Sequence, residues 1–314
     1  MDSGTELASF GNVSTSGRKR LSAEQIVANP ALYGFIRQQA QTMLASFKAD
    51  PRLGSVFATQ QRWLMAHAAL SLVFRRESPE HRAETTAARI FELVETYGIA
   101  SRNTADTFLK ELLHYNIIVH APSSGDKRVR LLRPSESALI VLNNWIVAHL
   151  KTLDGLDGGQ RCVTYWSNQS GLSRIQPLIA DRLLSAPEVR QPEQTFSLFT
   201  WLNNGGVVMD WLFGGIDPAD ATADRIPTGV LSISDFADFL KLSRTHLDRK
   251  FREAERLGSL GWRGRRGRSM MWISRDFLEE YVTAQAVKLA IVDAAYDNCF
   301  GSPAPGMAER SSRV

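Results

Sequence analysis

The stretch Gly261 to Ser274 reads GWRGRRGRSMMWIS, and four arginines, Arg263, Arg265, Arg266 and Arg268, stand among its glycines before an apolar run. Like charges so closely spaced repel one another unless an anion is near, so the chemistry this spacing suits is the grip of a polyanion. The run MMWIS reads as a strand returning from the charged tip, with Trp272 and Ile273 on opposite sides of its pleat. The wider charge distribution agrees. From Lys241 to Arg275, eleven Lys and Arg stand against Asp248, Glu253 and Glu255, a surplus of eight in a chain whose total is only +4. From Ser101 to Arg133, six basic residues stand against three acidic ones, which leaves the remainder at −7. Positive charge gathered at two places on a mildly acidic body is the footprint of a polyanion-binding protein.

Each basic region contains a helix with one apolar face. Ser101 is a suitable N-cap, because its hydroxyl can accept from an orphan amide of the first turn. Behind it, Ala105, Phe108, Leu109 and Leu112 form one stripe; Asn103, Thr107, Lys110 and His114 occupy the other face, and Arg102 sits at the helix start. The preceding helix, from about 83 to 97, ends at Gly98, where glycine can take the left-handed cap conformation. The extended stretches NIIVHAP and KRVRLLRP, joined by SSGD, then read as a hairpin carrying Lys127, Arg128 and Arg130, and a helix from about 135 to 150 closes the unit. Helix, helix, short turn, helix, hairpin, helix is the order of a winged helix-turn-helix.

The same order returns. LSISDFADFLKL reads as a helix capped by Ser232 or Ser234, and Ser243 and Arg244 open another with the stripe Leu247, Phe251 and Ala254. Thr245, Arg249, Arg252 and Arg256 lie opposite that stripe, and the glycine-arginine stretch makes a second hairpin before a long closing helix from 275. A shift of 142 residues superposes 101–150 on 243–292 without a gap, matching Ser101/Ser243, Arg102/Arg244, Asp106/Asp248, Glu111/Glu253, Gly125/Gly267, Arg133/Arg275 and Ala148/Ala290. The expected fold is mainly α with small β-hairpin wings, two winged helix-turn-helix units in one chain.

A helix entering a major groove N-terminus first reads base edges, while a basic hairpin reaches phosphates or the adjoining minor groove. Asn103 suits adenine, and Arg249 or Arg252 suits guanine, because each offers paired hydrogen bonds. Arg128, Arg130 and the four arginines of the second hairpin suit the backbone or a narrowed minor groove. Plainer readings stand beside these: Lys110 or Arg256 as a solvated helix face, Arg130 paired with Asp126 in its own hairpin, and His114 as a packing residue.

Composition sets the frame. The chain has 314 residues, 44% hydrophobic, enough for two cores of average size. We expect a disordered tail over 1–28, an N-terminal domain over 29–155, a linker with one helix over 156–194, a C-terminal domain over 195–298 and a second tail over 299–314. Trp63, Trp145, Trp201 and Trp211 sit at helical spacings among apolar residues and read as core. No run has the length of a membrane span and no apolar leader is evident, so a cytoplasmic protein without a membrane role is expected. Cys162 and Cys299 read as unpaired thiols, no Cys and His group has metal-ligand spacing, and no cofactor is implied. No nucleophile elbow, phosphate loop or zinc-protease motif occurs, so an enzyme is not expected.

The first unit resembles the MarR family of bacterial winged-helix transcription regulators over roughly 56–150. GDKRVRLLRPSESALIVL looks like that family's Asp-x-Arg, strand, then Leu-Thr-x-x-Gly pattern; Asp126 and Arg128 match, while Pro134, Ser135 and Ala138 depart from it. The second unit fits only the general winged-helix plan. The resemblance implies a sequence-specific regulator of double-stranded DNA, and a small-molecule effector bound between the helical and DNA-reading parts, for which no residue stands out. It also implies two recognition helices, placed by an intrachain pseudo-dimer or by a homodimer. A tandem winged-helix replication initiator is one alternative. Another is a protein-interaction winged helix of a chromosome-organising complex, which should carry acidic or apolar wings.

Overall fold

The structure, a computed structural model, describes residues 19–57, 59–76, 85–121, 130–192 and 194–301. Helices dominate it, and strands are confined to two small antiparallel sheets. Helix α1 (Ala23–Val27) opens with a capping box, in which Ser22 Oγ accepts from Gln25 N–H and Gln25 Oε1 accepts from Ser22 N–H. Ile26 is buried and α1 packs on the last helix of the chain. The expected tail over 1–28 is therefore wrong for its last ten residues, 19–28; residues 1–18 lie outside the described part.

Helices α2 (Leu32–Ala49), α3 (Pro51–Val56) and α4 (Gln60–Arg76) follow. Asp50 caps α3 by accepting from Leu53 N–H, and Pro51 fills its first turn, where a missing N–H does no harm. Helix α5 (Ala87–Thr96) ends as the sequence predicts: Gly98 takes φ +59° and Ile99 N–H reaches back to Val94 O at 2.9 Å. Helix α6 (Arg102–His114), strands β1 (Ile118–His120) and β2 (Leu132–Pro134), and helix α7 (Glu136–Asp157) complete the first unit, with Val119 opposite Arg133 in the hairpin.

Residues 156–194 are not a linker. They finish α7, which closes at Gly158 with φ +72°, and then form α8 (Arg161–Trp166), α9 (Gly171–Ser185) and α10 (Pro187–Arg190). Helix α9 packs on α4 and on the last helix, and Ile175, Ile179 and Leu183 are fully buried. The run TLDGLDGG mimics a linker because it is acidic and glycine-rich, yet those acids surround a guanidinium. Arg161, 1% exposed, donates to Asp157 at 2.6 and 2.7 Å, to Asp154 at 3.1 Å and to Asp293 at 2.8 Å. A buried arginine is tolerated only when paired and hydrogen-bonded in this way.

Helices α11 (Gln194–Thr200) and α12 (Gly205–Gly214) form the broken pair that the apolar run TFSLFTWLNNGGVVMDWLFGG suggests. The break needs glycine, since a Cβ on Gly205 would lie 1.7 Å from the Phe199 carbonyl oxygen. The polar stretch after it holds a 3-10 turn (Pro218–Asp220) and strand β3 (Arg225–Pro227). Then come α13 (Ile233–Leu240), capped by Ser232, α14 (Arg244–Arg256), β4 (Leu260–Trp262), β5 (Met271–Ser274) and α15 (Arg275–Phe300). The second sheet has the order β3-β5-β4. Among the described residues of the first unit, Thr85 takes the place of β3, its carbonyl accepting from Leu132 N–H at 2.9 Å.

The internal repeat is real in part. The shift of 142 carries α6 onto α14 and β1 onto β4, and it carries Asn116, at φ +54°, onto Gly258, at φ +73°. Beyond the first strand the shift changes. Ile118 pairs with Pro134, but the matching Leu260 pairs with Ile273, so the second hairpin is three residues shorter and the shift becomes 139. Ser135 then superposes on Ser274, and both hydroxyls cap the helix that follows. The matches Arg133/Arg275 and Ala148/Ala290 belong to the ungapped register and do not survive this change, and Gly125 of the match Gly125/Gly267 lies outside the described residues; Arg275 begins α15 and does not end a strand.

The two expected cores are one continuous cluster, because α9, α12 and α15 pack across both halves. One tryptophan reading changes: Trp201 is 59% exposed. Trp63, Trp145 and Trp211 are half-buried against the core as expected, Trp211 on Phe236 and Phe239, and Trp63 and Trp145 also line a cavity.

Candidate nucleic-acid interface

The fully buried stripe of α14, Leu247, Phe251 and Ala254, sets which residues face outward. Ser243, Arg244, Thr245, Arg249, Arg252 and Arg256 are all exposed. Ser243 makes no capping bond, so its hydroxyl at the helix N-terminus stays open. Among the described residues Arg244 has no ion pair, Arg249 stands 3.9 Å from Glu253, and Arg252 Nε–H donates to Asp248 Oδ2 at 3.0 Å. These exposed pairs are weak and can open at little cost when a stronger anion arrives.

The β4–β5 loop is ordered by its own hydrogen bonds. Arg263 N–H donates to Met270 O at 2.9 Å, Gly264 N–H to Ser269 Oγ at 3.0 Å, and Gly267 turns the chain at φ +69°. Arg263, Arg265 and Arg268 are exposed, and no ion pair ties them to a described residue. Arg266 differs from these three, because it is engaged within the protein. It folds back onto α14, with Nη1–H donating to Asp248 Oδ1 at 2.5 Å and Nε–H to both Glu255 oxygens at 2.9 Å. Trp262 Nε1–H also donates to Glu255, at 2.7 Å. Burial works to raise the Asp248 carboxyl, but hydrogen bonds from Arg266 and Arg252 outweigh it and hold the group below its ordinary value. One arginine thus neutralises two acids of α14 and fixes the loop beside that helix.

In the first unit, α6 buries Ala105, Phe108, Leu109 and Leu112 and exposes Ser101, Arg102, Asn103, Thr107 and Lys110. Ser101 caps the helix as predicted, accepting from Thr104 N–H at 3.3 Å. The guanidinium of Arg102 lies 5.0 Å from the Phe91 ring centre, a cation–π contact that steadies the helix start. Thr107 donates its hydroxyl proton to Asn103 O at 2.9 Å, and Lys110 pairs with Asp106 at 2.7 Å, so both are partly engaged within the helix. Asn103 borders a shallow hollow shared with Gln61, Arg62 and Thr104. Lys127 and Arg128 lie outside the described residues, as does Asp126. Arg130 is exposed at the foot of the hairpin, and His114 is an exposed residue set edge-on to Tyr115.

The roles of three residues were not read from the sequence. Arg225, on the unrecognised strand β3, lies 4.8 Å from the ring centre of Trp272 and adds a cation beside the hairpin. Asp248 and Glu255, counted only as opposing charge, anchor the loop instead. The signal for each was faint, since a three-residue strand leaves no periodicity and loop-to-helix ion pairs leave no spacing. Among the described residues no helix is long and apolar enough to cross a membrane, and both cysteines are free. Compared with protein families, with curated proteins and with solved structures, the chain matches none.

Proposed function

We propose that this chain is a sequence-specific DNA-binding transcription regulator built from two winged helix-turn-helix units, the first of them MarR-like, with α6 and α14 as recognition helices. The observation that carries this reading is the pairing of α14 with its loop. A helix exposes Arg244, Thr245, Arg249 and Arg252 along one face, and a hairpin fixed to it by Arg266 holds out Arg263, Arg265 and Arg268. Guanidinium groups without a counter-ion on an ordered loop suit phosphates, and the helix face beside them suits base edges. The continuous core supports an intrachain pseudo-dimer, in which both helices are presented without a second copy.

The test is selection of bound sequences from random duplex DNA with the full chain, followed by affinity measurement across a range of salt. A recovered motif with a steep salt dependence is expected. Retention of unselected sequences alone, or no binding at low salt, overturns the reading.

A further inference from the structure

A cavity of about 250 Å³ opens where α2, α4, α7, α11, α12 and α15 converge, so both halves of the chain line it. Aromatic side chains, Trp63, Trp145 and Phe196 among them, form part of its walls. The polar groups of its α7 side are already satisfied. His149 Nδ1–H donates to Trp145 O at 2.7 Å, which leaves Nε2 to accept from Gln39 Nε2 at 3.5 Å, and Gln39 Oε1 accepts from Thr152 at 2.9 Å. Two charged groups on the other side are not satisfied in this way. Lys288, from α15, has no ion pair with a described residue; its ammonium rests 5.4 Å from the Trp63 ring centre and 5.9 Å from that of Phe196. Asp210, from α12, accepts one long hydrogen bond from Tyr281 Oη at 3.3 Å and does not close onto Lys288.

An ammonium and a carboxylate drawn into this cavity without closing into an ion pair each cost stability; the ring faces and the charge of the other group offset that cost only in part. Burial disfavours the charged form of both, pushing Asp210 up to about 7 and Lys288 down from its ordinary value. Chemistry that relieves both at once brings an acid to Lys288 and an amine to Asp210, on a flat body that fills the aromatic walls. A cavity near the small end of ligand sites admits one or two rings.

We propose that this cavity binds a small amphoteric aromatic molecule, its acidic group on Lys288, its amine on Asp210, and its ring against Trp63, Trp145 and Phe196. Binding here is independent of the DNA-binding reading; only its meaning as effector control rests on that reading. The structure gives the control a route, since α12 and α15 belong to the second unit and α4 and α7 to the first.

Calorimetric titration of the full chain, without DNA, uses three probes: L-phenylalanine, 3-phenylpropionate and phenethylamine. The amphoteric probe is expected to bind about tenfold or more tighter than either single-charge probe, the loss that one missing charge-assisted hydrogen bond produces. Lys288→Met should weaken L-phenylalanine and 3-phenylpropionate but spare phenethylamine, and Asp210→Asn should weaken L-phenylalanine and phenethylamine but spare 3-phenylpropionate. The probe series on the unaltered chain decides the matter even where a variant fails to fold. Equal affinity for all three probes, or no heat from any of them at millimolar concentration, overturns the proposal. DNA binding can fail while these titrations succeed, and the reverse, so the two readings are separable.

Discussion

Arg266 and Asp248 are joined across the two parts of the candidate interface, the guanidinium Nη1 lying 2.5 Å from the carboxylate Oδ1. Asp248 at the same time accepts from Arg252, 3.0 Å away on the outward face of α14. One carboxylate therefore steadies a loop arginine and positions a helix arginine, and the two features respond differently to mutation.

Neutralising Arg263, Arg265 and Arg268 together should flatten the dependence of log affinity on log salt by about 0.9 for each phosphate left without its arginine. Arg266→Ala should instead change the slope little, loosen the loop so that amides of 263–270 exchange faster, and cost about 1 kcal/mol of stability through a partly exposed network. Slope measurements on the two variants, with hydrogen exchange on the second, check this. A slope that falls equally in both would mean that Arg266 leaves Asp248 to meet the phosphate.

Asn103→Ala and Arg249→Ala should each cost about 1–3 kcal/mol of specific binding and relax preference at a single base position. Lys110→Ala should cost less, since Lys110 already pairs with Asp106 at 2.7 Å. Repeating the selection with each variant reads this out directly: a uniform loss across all sequences would move Asn103 and Arg249 to the backbone-positioning class.

The sequence carried helices α6 and α14 well because amphipathic periodicity is local. Ala105 to Leu112 and Leu247 to Ala254 faced the core as their spacing required. It carried the hairpin register poorly. Ser135 and Ser274 were the equivalent caps, but a hairpin shortened by three residues hid them behind chance matches such as Arg133 with Arg275. Non-local pairings were not legible at all: Arg161 meets Asp293 from 132 positions away, and no pattern in the intervening chain announces it. Lys288 and Asp210 likewise share a cavity only because α12 and α15 meet in space.

Arg161→Met should therefore destabilise the fold by about 3–5 kcal/mol, since it leaves Asp293, itself 0% exposed, as a buried charge without its guanidinium. The matching Asp293→Asn with Arg161→Met should recover part of that loss. Ile179→Ala should cost about 2–5 kcal/mol through the cavity it opens in α9. Urea unfolding measures all three. An Ile179 variant within error of the original would return 156–194 to the status of a linker.

Acid stability follows from three enclosed groups whose signs oppose. Burial pushes His67 down to about 3, helped by the charges of His149 and Lys288, and burial likewise pushes His149 to about 3. Unfolded, both histidines take up protons near 6.5, so between about 6.5 and 3 the unfolded chain binds protons that the folded chain refuses. Stability is then lost as pH falls, by about 1.4 kcal/mol per pH unit for each histidine. Asp210 works the other way: it holds a proton in the folded chain below about 7 that the unfolded carboxyl, near 3.8, has released. Its contribution to stability rises by a similar amount per unit as pH falls through that window. Two groups against one leave a net loss toward acid. Asp210→Asn removes the opposing group, so its stability should fall more steeply than that of the unaltered chain between about pH 6.5 and 4. Urea midpoints for both chains across that range check the difference in slope; parallel curves would mean that Asp210 ionises at an ordinary carboxylate value, with Lys288 already serving as its counter-ion.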